Sequence, residues 1–268
     1  MKNLCFLVMI CFSAFNLQAQ KTNIEDDKAK AATQANNPLA DMTALNIHNY
    51  YVSKLSDAPA ASYLNTTWIR FAKPLADGKL LLRVSAPLSS IGSPDTVGLV
   101  NTISGLGDVN AFISYNFISN AKTTMGIGPL VAAPTATQSE IGVGQWQTGL
   151  AFVTFFAQSP QIQFGSLITW QTSVGGKEND KRAQIAAFQP FYIWQLGKGT
   201  YLRGAPIWVF DIENDAYHLP IGLGIGKVIK VEHTVFNLFI EPQYSMLTAG
   251  SQPQFQLFSG INIQFMKN

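Results

Sequence analysis

Along most of this chain hydrophobic and polar side chains trade places at every second residue. The final stretch shows it most clearly. Phe255, Leu257, Ile261, Ile263 and Phe265 fall on one parity, and Gln256, Gly260, Asn262 and Gln264 on the other, with Phe258 and Ser259 as exceptions. Successive side chains of a β-strand point to opposite faces, so this stretch predicts a strand with one apolar and one wet face. In a soluble sandwich the apolar face meets a core. In a transmembrane barrel it meets lipid, and the wet face lines the lumen. Taken alone, the segment fits either arrangement.

Twelve such stretches follow one another, at about 45–54, 63–73, 79–87, 106–118, 122–133, 145–157, 161–173, 183–195, 200–211, 218–230, 234–247 and 253–265. Most match or slightly exceed the ~9 to 11 residues with which a tilted strand crosses a bilayer. The links between them alternate in length. Ala76-Asp77-Gly78, Ser119-Asn120-Ala121, Gln158-Ser159-Pro160, Gly197-Lys198-Gly199 and Val231-Glu232-His233 are tight turns, and 55–62, 88–105, 134–144, 174–182 and 212–217 are longer, with a shorter link at 248–252. Outer-membrane barrels combine short periplasmic turns with longer external loops, and an even strand count returns both termini to the periplasmic side.

The alternation assigns faces. In 234–247, Asn237, Glu241, Gln243 and Ser245 oppose Phe236, Leu238, Ile240, Pro242, Tyr244 and Met246. Large aromatics of the apolar face gather near strand ends: Phe117, Phe156, Trp194, Phe236 and Phe265 toward the short turns, and Trp146, Trp170, Trp208, Tyr244 and Phe255 toward the long links. Two aromatic belts with apolar residues between them are a membrane signature. The prediction is an all-β, up-and-down antiparallel transmembrane β-barrel of twelve strands, with a short N-terminal helical segment.

Composition agrees. Charged residues make up 13% of the chain and aromatics 12%, whereas a soluble domain averages about a quarter charged. Lys2, the apolar run Leu4 to Phe15 and Leu17-Gln18-Ala19 read as a secretory signal cleaved before Gln20. Both cysteines, Cys5 and Cys11, lie inside it, which removes disulfides and thiolate chemistry from the mature chain. Loss of Lys2 from 18 basic residues leaves 17 against 16 acidic ones, a balance that gives no reason to expect nucleic acid as a partner. Residues 21–34 are charged and Ala-rich, with acids early and bases later, and Asn36-Asn37-Pro38 stops them. The expected organisation is therefore a signal peptide over 1–19, a periplasmic helical or plug segment over 20–44 and an outer-membrane barrel over 45–268. A disordered leader is the other reading of 21–44.

Several motifs, in order, carry a family likeness: Gly105-Leu106-Gly107-Asp108, Gly126-Ile127-Gly128-Pro129, Pro134-Thr135-Ala136-Thr137 and Gly142-Val143-Gly144-Gln145-Trp146. They continue with Gln189-Pro190-Phe191, Tyr201-Leu202, Pro206-Ile207 and Pro220-Ile221-Gly222-Leu223-Gly224-Ile225-Gly226-Lys227. Together they resemble bacterial outer-membrane transporter proteins of the phenol meta-cleavage-pathway type, some of which are mislabelled "neuromedin U". The resemblance covers roughly residues 30–268, and Gln145 departs from it where the family pattern has a Lys. It implies a transport-type barrel in the outer membrane of a Gram-negative bacterium and does not name a solute.

On face parity the lumen carries Arg70, Arg83, Asp108, Arg203, Asp211 and Glu241, with Gln145, Gln147, Gln163, Gln171, Gln189, Gln243 and Asn262. Such groups line a solute path or form a network that closes the lumen, and both readings stand at this point. Strand 218–230 offers mainly Gly222, Gly224 and Gly226 to the interior, which would let Arg203 and Glu241 meet across it, unless the glycines mark a bend. Twelve strands spaced ~4.8 Å and tilted ~40° give a backbone radius on the order of 12 Å, which suits small solutes. His48, His218 and His233 are the only histidines. They provide no metal-ligand spacing and no hydrolase arrangement, so neither catalysis, cofactor nor metal is expected. The reading is a monomeric channel for passive transport of small molecules, apolar or aromatic by the resemblance, with outer-membrane lipid and the barrel-assembly machinery as partners. The alternative is a closed barrel with a structural or surface-interaction role.

Overall fold

The computed structural model describes residues 35–39, 41–120, 122–176 and 182–266. The signal peptide and the helix expected over 21–34 lie outside these residues. Fifteen strands form one antiparallel sheet. They are β1 (Thr43–Leu55), β2 (Tyr63–Leu75), β3 (Leu80–Pro94), β4 (Val100–Leu106), β5 (Val109–Ser119), β6 (Thr123–Ala133), β7 (Gln145–Phe156) and β8 (Ile162–Gly176). The rest are β9 (Gln184–Gly197), β10 (Thr200–Gly204), β11 (Trp208–Asp211), β12 (Ala216–Gly222), β13 (Gly224–Val231), β14 (Thr234–Ala249) and β15 (Pro253–Phe265).

Three staves are split in two. β4 and β5 both pair with β3, β10 and β11 with β9, and β12 and β13 with β14, so fifteen strands make a wall of twelve staves. The wall closes where β1 pairs with β15, from Thr43↔Phe265 to Leu55↔Pro253. Closure is what permits a sheet in lipid, because an open edge would leave N–H and C=O groups without water to bond. The protein is a transmembrane β-barrel.

The predicted parity holds around the wall. In β14, Val235, Asn237, Phe239, Glu241, Gln243 and Ser245 are buried toward the inside, while Leu238, Ile240, Tyr244 and Met246 stand outside. Phe117, Trp194 and Phe265 are exposed near the short-turn end, and Trp146, Trp170, Tyr244 and Phe255 near the long-loop end. The turns follow local chemistry: Ala76, Asp77 and Gly78 all take positive φ between β2 and β3, and Asn120 Oδ1 accepts the N–H groups of Lys122 and Thr123.

Two expectations need correction. The link over 88–105 is largely strand, because β3 runs on to Pro94 and pairs with β4 in a hairpin from Leu88↔Leu106 to Pro94↔Val100. Both faces of this extension are polar (Ser89, Ser90, Ser93, Asn101, Thr102), so the contrast that reveals a strand disappears. The stretches 106–118, 200–211 and 218–230 are not continuous either. Gly107-Asp108, Ala205-Pro206-Ile207 and Leu223 interrupt them.

Ile240 lies midway between the two aromatic belts and is 45% exposed on the outer face. Ile240→Arg places a charge near the bilayer centre and is expected to destabilise the refolded barrel by roughly 2–4 kcal/mol. Val97→Arg, at the hairpin tip where Val97 is 79% exposed, should stay within ~0.5 kcal/mol. Denaturant titration in lipid vesicles, followed by tryptophan emission, measures both.

Candidate functional site

Among the described residues the lumen holds two chambers, one toward each end of the barrel. The chamber toward the short turns has a volume of about 160 Å³ and is lined by Arg70, Arg83, Arg203, Gln189, His48, Asn262 and several aromatic rings. The chamber toward the long loops has a volume of about 370 Å³ and is lined by Asp108, Gln147, Gln171, Trp68, Ile207, Gln256 and others. Between them lies an aromatic waist. Tyr50 and Phe258 stack 4.2 Å apart, Phe239 meets Phe258 edge-on at 4.8 Å, and Ala205 packs against them. Phe258, one of the two parity exceptions of the last strand, is 2% exposed and points inward.

The short-turn end is crossed by Ala35–Leu39. Asn237 Nδ2 donates to Asn36 Oδ1 at 2.9 Å and to the Ala35 carbonyl at 3.3 Å, and Gln264 Nε2 donates to the same carbonyl at 3.1 Å. Ala35 packs on one side with Ile193, Tyr201, Val228 and Val235. Leu39 packs on the other with Ala72, Leu81, Phe112, Leu130 and Val153. The segment thus reaches across the lumen from one wall to the other.

Glu241 organises the wall beside the waist. Its carboxylate accepts from Arg203 Nε at 2.9 Å, from the Ala205 N–H at 2.8 Å and from Gln243 Nε2 at 2.7 Å; Gln243 Oε1 in turn accepts from Gln256 Nε2 at 2.6 Å. The Arg203–Glu241 pairing expected across a glycine strand is therefore present, with the carboxylate fully buried. Glycine is required there: a Cβ on Gly224 would lie 2.7 Å from Glu241 Cα, and one on Gly222 would lie 2.6 Å from Glu241 Oε1. Arg203 also rests its guanidinium 3.7 Å from the Phe239 ring centre, a cation–π contact.

The same carboxylate mends a seam. Backbone pairing stops between Arg203↔Gly224 and Val209↔His218, where Pro206 and Pro220 have no N–H to give. Four side-chain contacts replace the missing ladder bonds. From the lumen, Glu241 accepts the Ala205 N–H and Gln189 Nε2 donates to the Ala205 carbonyl at 3.0 Å. From outside, Tyr192 Oη donates to the Gly222 carbonyl and Trp208 Nε1 donates to the Pro220 carbonyl at 2.9 Å. The motifs around Gln189-Pro190-Phe191, Pro206-Ile207 and Pro220 to Gly224 all meet at this seam.

Three further motifs, Gly105 to Asp108, Pro134 to Thr137 and Gly142 to Trp146, meet at the long-loop mouth. Asp108 accepts from the Ala136 N–H at 3.1 Å and from the Val143 N–H at 2.7 Å. Thr135 and Thr137 bond back to the backbone of Gly107, Val109 and Leu106. This latch turns the 134–144 loop inward, so that Ile141, Gly142 and Val143 form part of the outer chamber. Asp108 is thus committed to holding a loop.

The other predicted residues divide clearly. Gln147 accepts from Gln171 Nε2 at 2.7 Å. Gln163 is buried near the short-turn end, Gln145 opens β7 half-buried, and neither lines a chamber. Asp211 stands at the rim, its carboxylate taken by the Asn214 side chain at 2.8 Å. Gln145 and Asp211 stand at long-loop strand ends, whereas Gln163 is fully buried inside the short-turn end. His48 does face the lumen, and it is satisfied. A guanidinium only donates, so His48 Nδ1 accepts from Arg70 Nη1 and its Nε2–H donates to Asn262 Oδ1, both at 2.6 Å. Sequence reasoning missed the inward aromatics Tyr50, Phe239 and Phe258. Their shared parity with Asn237, Glu241 and Gln256 was the available signal.

No protein-family model matches this chain, and no curated protein is detectably similar to it in sequence. Solved structures are similar in fold. The COG4313 outer membrane channel from Pseudomonas putida F1 superposes with a TM-score of 0.63 at 13% identity, covering 84% of this chain and 96% of that one. The NanC porin gives 0.50 at 10% identity, covering 84% and 100%.

Glu241→Ala leaves a buried guanidinium without its partner and the Ala205 N–H without an acceptor. It is expected to cost about 3–5 kcal/mol in denaturant unfolding of the refolded barrel. Removing both charges in Arg203→Met/Glu241→Leu should recover only the part owed to the unpaired guanidinium, because the Ala205 N–H still lacks its acceptor.

Proposed function

We propose that this chain is an outer-membrane channel of a Gram-negative bacterium that carries small molecules passively. The observation that supports it best is the pair of chambers, one toward each end of the barrel, with an aromatic waist between them. Polar groups line both chambers, and Tyr50, Phe239 and Phe258 present ring surface at the constriction. Ring surface at a narrow point favours solutes with an apolar or aromatic body, in keeping with the transporter proteins that the motifs resemble. An apolar cavity of roughly 150 Å³ accepts benzene, which sets the scale for the smaller chamber. The likeness to an outer membrane channel and to a porin supports the same reading at the level of fold.

The N-terminal segment is part of this proposal. Ala35–Leu39, tied to Asn237 and Gln264 inside the lumen, acts as a plug on the periplasmic side. A second reading, the closed barrel, draws on the same contacts and on the filled Arg203–Glu241–Gln243–Gln256 network.

Planar-bilayer recording of the refolded mature protein, with and without residues 21–39, separates the two. The channel reading expects conductance that rises at least severalfold on deletion. Silence in both forms overturns it and leaves the closed barrel, with the external loops as the place to look.

A further inference from the structure

Three guanidiniums face the chamber next to the short turns, and one buried carboxylate serves only one of them. Arg203 is paired with Glu241. Arg70 and Arg83 have no acidic partner among the described residues. Arg70 is only 8% exposed; it bonds the neutral His48 ring through Nη1, stands near the Tyr50 hydroxyl and lies 4.9 Å from the Trp68 ring centre, while its Nε–H is buried with no partner. The Nε–H of Arg83 is buried and unpartnered as well, and that guanidinium lies 5.5 Å from the centre of the Phe112 ring.

The two arginines are placed together by the sheet. Arg70 sits opposite Ser85 and Arg83 opposite Ala72, so they are diagonal neighbours on β2 and β3, both lining the chamber. Buried charges are ordinarily paired, because an unpaired one forfeits its hydration without return. Adjacent guanidiniums that line one cavity are the arrangement that takes up a carboxylate, whose two oxygens match their planar fork. Phe191, on β9 across the barrel, and Phe239 line the same chamber. The geometry points to a binding site for a small organic monocarboxylate, its head on Arg70 and Arg83 and its apolar body against those rings. This deepens the channel reading by naming the class of solute, and its role, though not its existence, rests on that reading.

The refolded mature protein in detergent, titrated calorimetrically with benzoate and with the neutral isostere benzamide, tests the site without any transport readout. Benzoate should bind saturably, and benzamide on the order of 10- to 100-fold more weakly, the range for hydrogen bonds to a charged group. Arg70→Gln/Arg83→Gln should lose benzoate affinity by a similar factor. Because it removes unpaired buried charge, the same variant should unfold at no lower denaturant concentration than the parent. A second variant, Arg70→Lys/Arg83→Lys, keeps the charge without the fork and should bind benzoate with intermediate affinity. Equal binding of benzoate and benzamide, no saturable benzoate binding, or unchanged benzoate affinity in the folded Gln variant would overturn the site. Benzoate block of bilayer currents is read separately. A silent barrel that still binds benzoate refutes the channel and keeps the site, whereas a conducting barrel that fails to bind benzoate does the reverse.

Discussion

The Glu241 carboxylate holds together a wall that its own strands leave unpaired. In a bilayer every backbone N–H and C=O must find a partner within the protein, and prolines at 206 and 220 make that impossible by ladder bonds alone. The solution takes one side chain from each of four positions. Glu241 and Gln189 work from the lumen, and Tyr192 and Trp208 from the lipid side. Glu241 can do this only because Gly222 and Gly224 leave it space, and its charge is tolerable only because Arg203 reaches it across that glycine strand. Wall closure, the ion pair and the glycine run are one structural device.

That device shapes the lumen. With Arg203 pulled to the wall, its guanidinium lies on Phe239, and Phe239 packs on Phe258, which stacks on Tyr50. The waist between the chambers is therefore built directly on the seam. At the long-loop mouth Asp108 plays the matching part, fixing Val143 and Ala136 so that the loop becomes chamber wall. Two of the lumenal carboxylates expected from the sequence are thus committed to backbone N–H groups.

The alternation along β14 and β15 was enough to place lipid and lumen faces, because lipid rewards apolar residues on one parity with unusual consistency. The Arg203–Glu241 contact was legible for a different reason: three glycines on one face announce that something larger occupies the space above them. What stayed hidden lay where the contrast of faces fails. The β3–β4 hairpin is wet on both sides, so its strands looked like a loop. Phe258 and Phe239 are aromatic on the lumen face, and a rule that sends aromatics to lipid cannot place them. Asp211 and Gln145 had the expected parity, but parity carries no height, and height decides whether an inward side chain meets a chamber or a rim. The split staves had a local signal in Pro206 and Pro220. Only the paired register shows that the two prolines fall in the same gap between neighbouring strands.

The polar groups of the lumen are unevenly satisfied, and the unevenness has a direction. On the β10–β15 side, Arg203, Glu241, Gln243 and Gln256 form a chain in which each acceptor is met. On the β2–β3 side, Arg70 and Arg83 keep buried donors free. A network evolved only to fill the barrel would gain by extending its carboxylates to that side, since an uncompensated buried guanidinium is the costlier state. The chain instead places its inward acids at Glu241, for the seam, and at Asp108, for the loop. The electropositive wall that results faces a cavity bounded by rings, so the field is focused where apolar surface is also available. Structural duty and the unpaired guanidiniums are thus carried by different staves, the seam on the β10–β15 side and the arginines on β2 and β3.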